Sequence, residues 1–149
     1  MAADIQAVLH ENLNGMRKSV VWLRRSYARC TRIGVKENYT EDEFDAFENL
    51  ASRYARMLGV VLNKVFRSID TIELEDSGTL LDAVNRAEKR GVVDSAERVR
   101  TLKDLGNDIV HEYETDDLKS LFQATLDATP ALFAIAERIE RYCEPFAGT

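Results

Sequence analysis

The stretch DSAERVRTLKDLGNDIVHEY, residues 94–113, decides how this chain is read. Asp94 followed three residues later by Glu97 is the pattern of a capping box. In such a box the first side chain accepts a free amide and the second reaches back, so a helix is expected to open at Asp94. Val99, Leu102, Leu105, Ile109 and Tyr113 then recur at steps of three and four, which places them on one face of that helix. At about 100° per residue, His111 falls roughly 180° from the centre of this stripe, on the side of Arg100, Asp104 and Asn107. A core histidine would lie on the stripe. His111 is therefore expected at the surface, either as an ordinary exposed side chain or as one presented to a cleft, a partner or a second subunit. Gly106 falls near the apolar side. Glycine inside a helix costs about 1 kcal/mol relative to alanine, and close approach of another helix would be a reason to keep it there.

The rest of the chain follows the same periodicity. Only two prolines and seven glycines interrupt 149 residues, and long runs without either breaker argue for helices. A first helix is predicted from about Asp4 to Arg32, with Gly34 as its stop and Ile5, Val8, Leu9, Met16, Val20, Leu23 and Tyr27 as its stripe. At the usual rise it would be roughly 40 Å long. Thr40 and Glu43 form a second capping box, opening a helix to about Ile69. Its stripe, from Phe44 and Phe47 through Leu50, Tyr54, Met57, Leu58, Val61 and Leu62 to Val65, is wide enough to imply burial on more than one side. Glu73 to Gly78 reads as a loop, Thr79 caps a short helix over Leu80 to Arg90, and Gly91 ends it. Thr115 or Asp116 starts a last helical region reaching about Tyr142. Pro130 lies inside it, so either the helix kinks or a new one begins there. No strand pattern, internal repeat or dividing linker interrupts this order. The expected fold is all-α: an antiparallel up-and-down bundle of four main helices plus a short one, with residues 1–149 as a single domain.

Composition narrows the function. At 45% apolar and 31% charged residues the chain fits a soluble globular protein, and no apolar run approaches a membrane span. The start, MAADIQAVLHENL, lacks a signal-peptide pattern. Cys30 and Cys143 stand far apart without ligand spacing, as free thiols of a cytoplasmic protein do. A net charge of −6 excludes a surface built as a whole for nucleic acid. Yet from Met16 to Lys36 there are seven cations and no acid. Among them Arg24, Arg25 and Arg29 are candidate phosphate contacts. The competing reading is charge pairing across the turn with Glu37, Glu41, Asp42, Glu43, Asp45 and Glu48. No metal or cofactor is expected. His10 and His111 are distant, Thr115 stands where a zinc protease needs its second histidine, and there is neither a phosphate-binding glycine loop nor a serine elbow. Asp116 and Asp117 read as helix-start charges, and Tyr113 as a core tyrosine with a wet hydroxyl.

Asn107-Asp108-Ile109-Val110-His111-Glu112-Tyr113 resembles the signature of HEPN domains, specifically the HepT-like proteins paired with minimal nucleotidyltransferases in toxin–antitoxin modules. The likeness extends more loosely from about Leu80 to Tyr142, including the lead-in GVVDSAE. The resemblance implies a helical bundle that forms a homodimer through its motif helices and binds a nucleotidyltransferase and RNA. It also implies metal-independent ribonuclease activity in the active members. On this likeness His111 matches the catalytic histidine, Asn107 the polar residue that often follows the motif arginine, and Tyr113 the tyrosine that the partner can adenylylate. The sequence departs from the family at one place. The arginine belongs at position 106, 105 or 104, and those positions hold Gly106, Leu105 and Asp104. A cation is needed to hold the scissile phosphate and stabilise developing charge. Arg100 or Lys103 of the same helix, or a cation of a second subunit, would have to replace it. The expectation is a HepT-like subunit with weak or no ribonuclease activity, which an arginine at 106 would move toward cleavage unless the glycine serves close packing. An active ribonuclease with a substitute cation and a non-catalytic helical adaptor are the alternatives.

Overall fold

The computed structural model describes residues 2–75, 77–111 and 118–146, and every regular element among them is helical. Helix α1, Ala2–Ile33, ends where Gly34 takes a φ of +76° and donates its amide to the Cys30 carbonyl. Helix α2, Glu41–Val60, opens with the expected capping box: Glu43 N–H donates to Thr40 Oγ1 at 3.2 Å, and Thr40 N–H donates to the Glu43 carboxylate at 3.0 Å. It continues through a π-helical turn, Val61–Val65, into α3, Phe66–Ile72. Helix α4, Leu80–Lys89, is capped reciprocally by Thr79 and Asp82. It stops in a Schellman turn, with Gly91 at φ +75° donating to Glu88 and Val92 donating to Ala87. Helix α5 is Ala96–His111, and α6, Leu118–Cys143, runs into a 3₁₀ turn, Glu144–Phe146.

The helices pack against each other, and side-chain contacts fix the direction of the long ones. The Cys30 thiol donates to the Ala46 carbonyl, Arg53 donates to Ser26 Oγ, and Asn12 donates to Ser68 Oγ. The end of α1 thus meets the start of α2, and the start of α1 meets α3, so α1 is antiparallel to the α2–α3 segment. Tyr27 meets the edge of Phe133, Arg17 pairs with Glu140, and the His10 imidazole bonds the Phe146 carbonyl at 2.9 Å. By the same logic α1 is antiparallel to α6. Where α6 begins, Phe122 stacks on Phe47 at 5.1 Å and takes Phe44 and Tyr39 edge-on. The breadth of the α2 stripe has its reason here, since α2 packs on α1, α5 and α6 together.

The π-turn follows from spacing. Met57, Val61, Val65 and Ile69 are buried at steps of four, and so are Leu58, Leu62, Phe66 and Asp70. In a straight α-helix each step of four rotates such a series by about 40°. A wider turn takes up part of that drift and keeps both rows facing inward. The second row ends on an acid. Asp70 is fully buried and accepts from Arg86 at 3.0 Å and Arg90 at 2.5 Å, while Arg90 also faces Glu73 at 3.4 Å and Tyr142 donates its hydroxyl to Glu73. This cluster ties α3, α4 and α6 together. For Arg90, burial works against the charge, but the bond to Asp70 and the field of Glu73 outweigh it and hold its pKa above the usual value.

Two expectations change, and the alternatives left open at Pro130 reduce to one helix. The α5 cap is Ser95, whose Oγ accepts from Arg98 N–H at 3.0 Å; Asp94 stands one residue outside the cap, and its carboxylate pairs with Arg138 of α6 at 2.6 Å. Val8, placed on the α1 stripe, is 50% exposed, and the inward positions belong to Leu9, Leu13, Met16, Leu23 and Cys30. The helix does not restart at Pro130, which stands inside α6. Its ring faces solvent and its missing N–H frees only the Leu126 carbonyl. No helix among the described residues is long and apolar enough to cross a membrane.

Candidate functional site

Helix α5 divides cleanly into two faces. Val99, Leu102, Gly106 and Ile109 are buried, whereas Arg100, Lys103, Asp104, Asn107, Asp108 and His111 are exposed. Leu105 is half-buried. The inward face is fixed by α2. The Tyr54 hydroxyl, at a fully buried ring, donates to the Leu102 carbonyl at 2.9 Å, and burial raises its pKa well above the usual phenol range. One turn along, a Cβ built on Gly106 would stand 3.0 Å from Leu58 Cδ2. Helices α5 and α2 therefore cross at Leu102–Gly106 over Tyr54–Leu58, and the missing side chain at 106 is what permits the closeness.

The structure places the sequence-derived site residues as follows. Asn107 and His111, one helical turn apart, share the exposed face with Arg100 and Asp104. None of these four side chains has a hydrogen bond or ion pair among the described residues. Val110, 66% exposed, adds an apolar side chain beside them. Tyr113 lies outside the described residues. Arg100 and Lys103 are exposed, but about 16 Å and 12 Å of helix rise separate them from His111. Within one chain neither stands beside the imidazole. Position 106, where the motif arginine belongs, faces Leu58 rather than this surface.

The basic run of α1 is not joined to this face, because α1 packs on α2, α3 and α6 while α5 packs on α2, α4 and α6. Nor does the run pair mainly across the turn to α2. Among the described residues, of the expected pairs only Lys36–Glu43, at 2.6 Å, forms there. Arg17 and Arg24 turn instead to Glu140 and Glu137 of α6, with the Arg24 guanidinium 4.5 Å from the Phe133 ring centre, and Glu37 pairs with Lys119. Arg25 lies over the Trp22 ring at 5.7 Å, and Arg29 is exposed without an ion pair among the described residues. Sequence reasoning missed Trp22, Arg53 and Arg56, which meet in a groove between α1 and α2. The available signal was a tryptophan off the α1 stripe. It also missed the Asp70 cluster, for which a lone acid in an apolar row was the clue.

The described residues form a helical bundle in which the side chains of Arg100, Asp104, Asn107 and His111 of α5 have no hydrogen bond or ion pair among them. No family model, no curated protein and no solved structure matches the chain.

Proposed function

We propose that this chain is a HEPN-like, HepT-related subunit of a nucleotidyltransferase-linked module: an antiparallel up-and-down bundle that pairs with itself and its partner through the exposed face of α5. One observation carries the reading. Asn107 and His111 stand one turn apart on an exposed face, and neither they nor Arg100 and Asp104 beside them have a partner among the described residues, which leaves that face open to another molecule. Burial of Gly106 against Leu58 supports the further reading that the single chain does not cleave RNA, since the cation that would hold the phosphate has no place at that position. In this reading Tyr113 is the residue the partner adenylylates, and RNA meets the assembled module rather than a catalytic site of one chain.

The test is co-purification of the chain with the nucleotidyltransferase encoded in the adjacent reading frame, followed by intact-mass analysis with ATP. A stable complex and an added AMP, lost in Tyr113→Phe, are expected. Absence of both complex and modification would refute the pairing. Cleavage of an RNA pool by wild type, abolished in His111→Ala, would instead establish the active ribonuclease.

A further inference from the structure

A second surface lies away from the α5 face. Lys18, Ser19, Trp22, Arg53 and Arg56 line a groove between α1 and α2. Its centre is built rather than incidental. Arg53 donates to Ser26 Oγ at 2.7 Å and to the Trp22 carbonyl at 3.4 Å, and its guanidinium stands 5.0 Å from the Trp22 ring centre. Arg25 approaches the same ring at 5.7 Å. Ring, Ser26 and backbone thus hold the Arg53 guanidinium in advance, which lowers the entropy lost when it binds.

The charge of this groove is uncompensated. None of Lys18, Arg25, Arg53 and Arg56 has a carboxylate within ion-pairing distance among the described residues. Cations on the other side of α1 are matched: Arg17 with Glu140, and Arg24 with Glu137. In a chain where acids outnumber basic residues 26 to 20, the groove gathers Lys18, Arg53 and Arg56 around Trp22, with Arg25 against the same ring. Beside them Trp22 is 49% exposed and Val21 64%.

We propose that the α1–α2 groove binds a single-stranded nucleic acid, with phosphates against Lys18, Arg25, Arg53 and Arg56 and a base stacked on the Trp22–guanidinium layer. Charge alone would suit any polyanion. The flat indole and guanidinium surfaces favour an unpaired base, because every base offers a π-face to stack. An acidic peptide would satisfy the cations and leave the ring unused. This inference is independent of the reading of α5, and His111→Ala is expected to leave groove binding unchanged.

Trp22 is the only tryptophan in the chain, so its emission reports on the groove directly. The experiment titrates the whole protein with oligouridylate and oligothymidylate at several salt concentrations, following Trp22 quenching and the anisotropy of labelled oligonucleotide. Quenching is expected, with log K falling against log salt at a slope near −3, about −0.7 for each of four phosphate contacts. The double variant Lys18→Glu/Arg56→Glu should weaken binding by at least about tenfold and flatten the slope. Arg17→Gln, on the α6 side, should not. Trp22→Ala, read by anisotropy, should weaken binding while keeping the slope. Circular dichroism checks that each variant folds. No saturable binding at low salt, or binding indifferent to the double charge reversal, would overturn the proposal. Tighter binding of polyglutamate or of phosphatidylserine vesicles than of oligonucleotide would also overturn it, by assigning the groove to another partner.

Discussion

Replacing Gly106 by arginine restores the motif on paper and breaks the bundle in space. A Cβ at 106 would meet Leu58 Cδ2 at 3.0 Å, short of the 3.4–4 Å of ordinary contact. Leu58 is 4% exposed and Tyr54, one turn before it, is fully buried, so the leucine tip has little room to retreat. Alanine already sets two effects against each other. It gains about 1 kcal/mol of helix propensity and costs about 1–3 kcal/mol of overpacking. Gly106→Ala should therefore be near neutral or destabilised by up to about 2 kcal/mol. Arginine must drive its stem past Leu58 before the guanidinium reaches water, and should cost about 3 kcal/mol or more. Urea unfolding followed by far-UV circular dichroism measures both variants, with light scattering for self-association and a mixed RNA pool for cleavage. A Gly106→Arg protein with the wild-type midpoint would refute the packing argument. If it also cleaved RNA in a His111-dependent way, position 106 would face the site after all.

Leu102→Ala and Ile109→Ala, at 4% and 3% exposure, should each lose about 2–5 kcal/mol, while exposed His111→Ala should lose less than about 0.5 kcal/mol; equal losses would show the two faces of α5 to be misassigned. Asp70→Ala strands Arg86 and Arg90 and should cost about 3–5 kcal/mol, with Asp70→Leu/Arg86→Met/Arg90→Met recovering most of it; a single-variant loss under about 1 kcal/mol contradicts a buried ionic cluster. Burial pushes the Cys30 and Cys143 thiols from 9.0 up to about 11. Both should thus resist a disulfide reagent at about pH 8 until the protein unfolds. Because the unfolded thiols ionise first, stability is expected to fall as pH rises from about 9 to about 11. Fast native-state labelling, or a Cys30→Ser/Cys143→Ser variant with the same alkaline loss, would refute this.

Local chemistry was legible in the sequence wherever a signal and its consequence sit within a few residues. The box at Thr40–Glu43, the cap at Thr79, the stops at Gly34 and Gly91, and the inward rows of α2 and α5 follow from hydrogen-bond reach and helical period. The outward placement of His111 followed from the same period. What periodicity could not decide was competition between distant groups. Ser95 caps α5 in place of Asp94, whose carboxylate meets Arg138, far along the chain. The basic run of α1 was divided by its neighbours: α6 supplies Glu140 and Glu137 to one side, and α2 supplies Arg53 and Arg56 to the other. Gly106 reads in sequence as a missing arginine, and in three dimensions as the space that lets Leu58 approach. Helix faces are set by residues three and four apart, but what each face meets depends on which helix folds against it, and only tertiary packing brings that partner near.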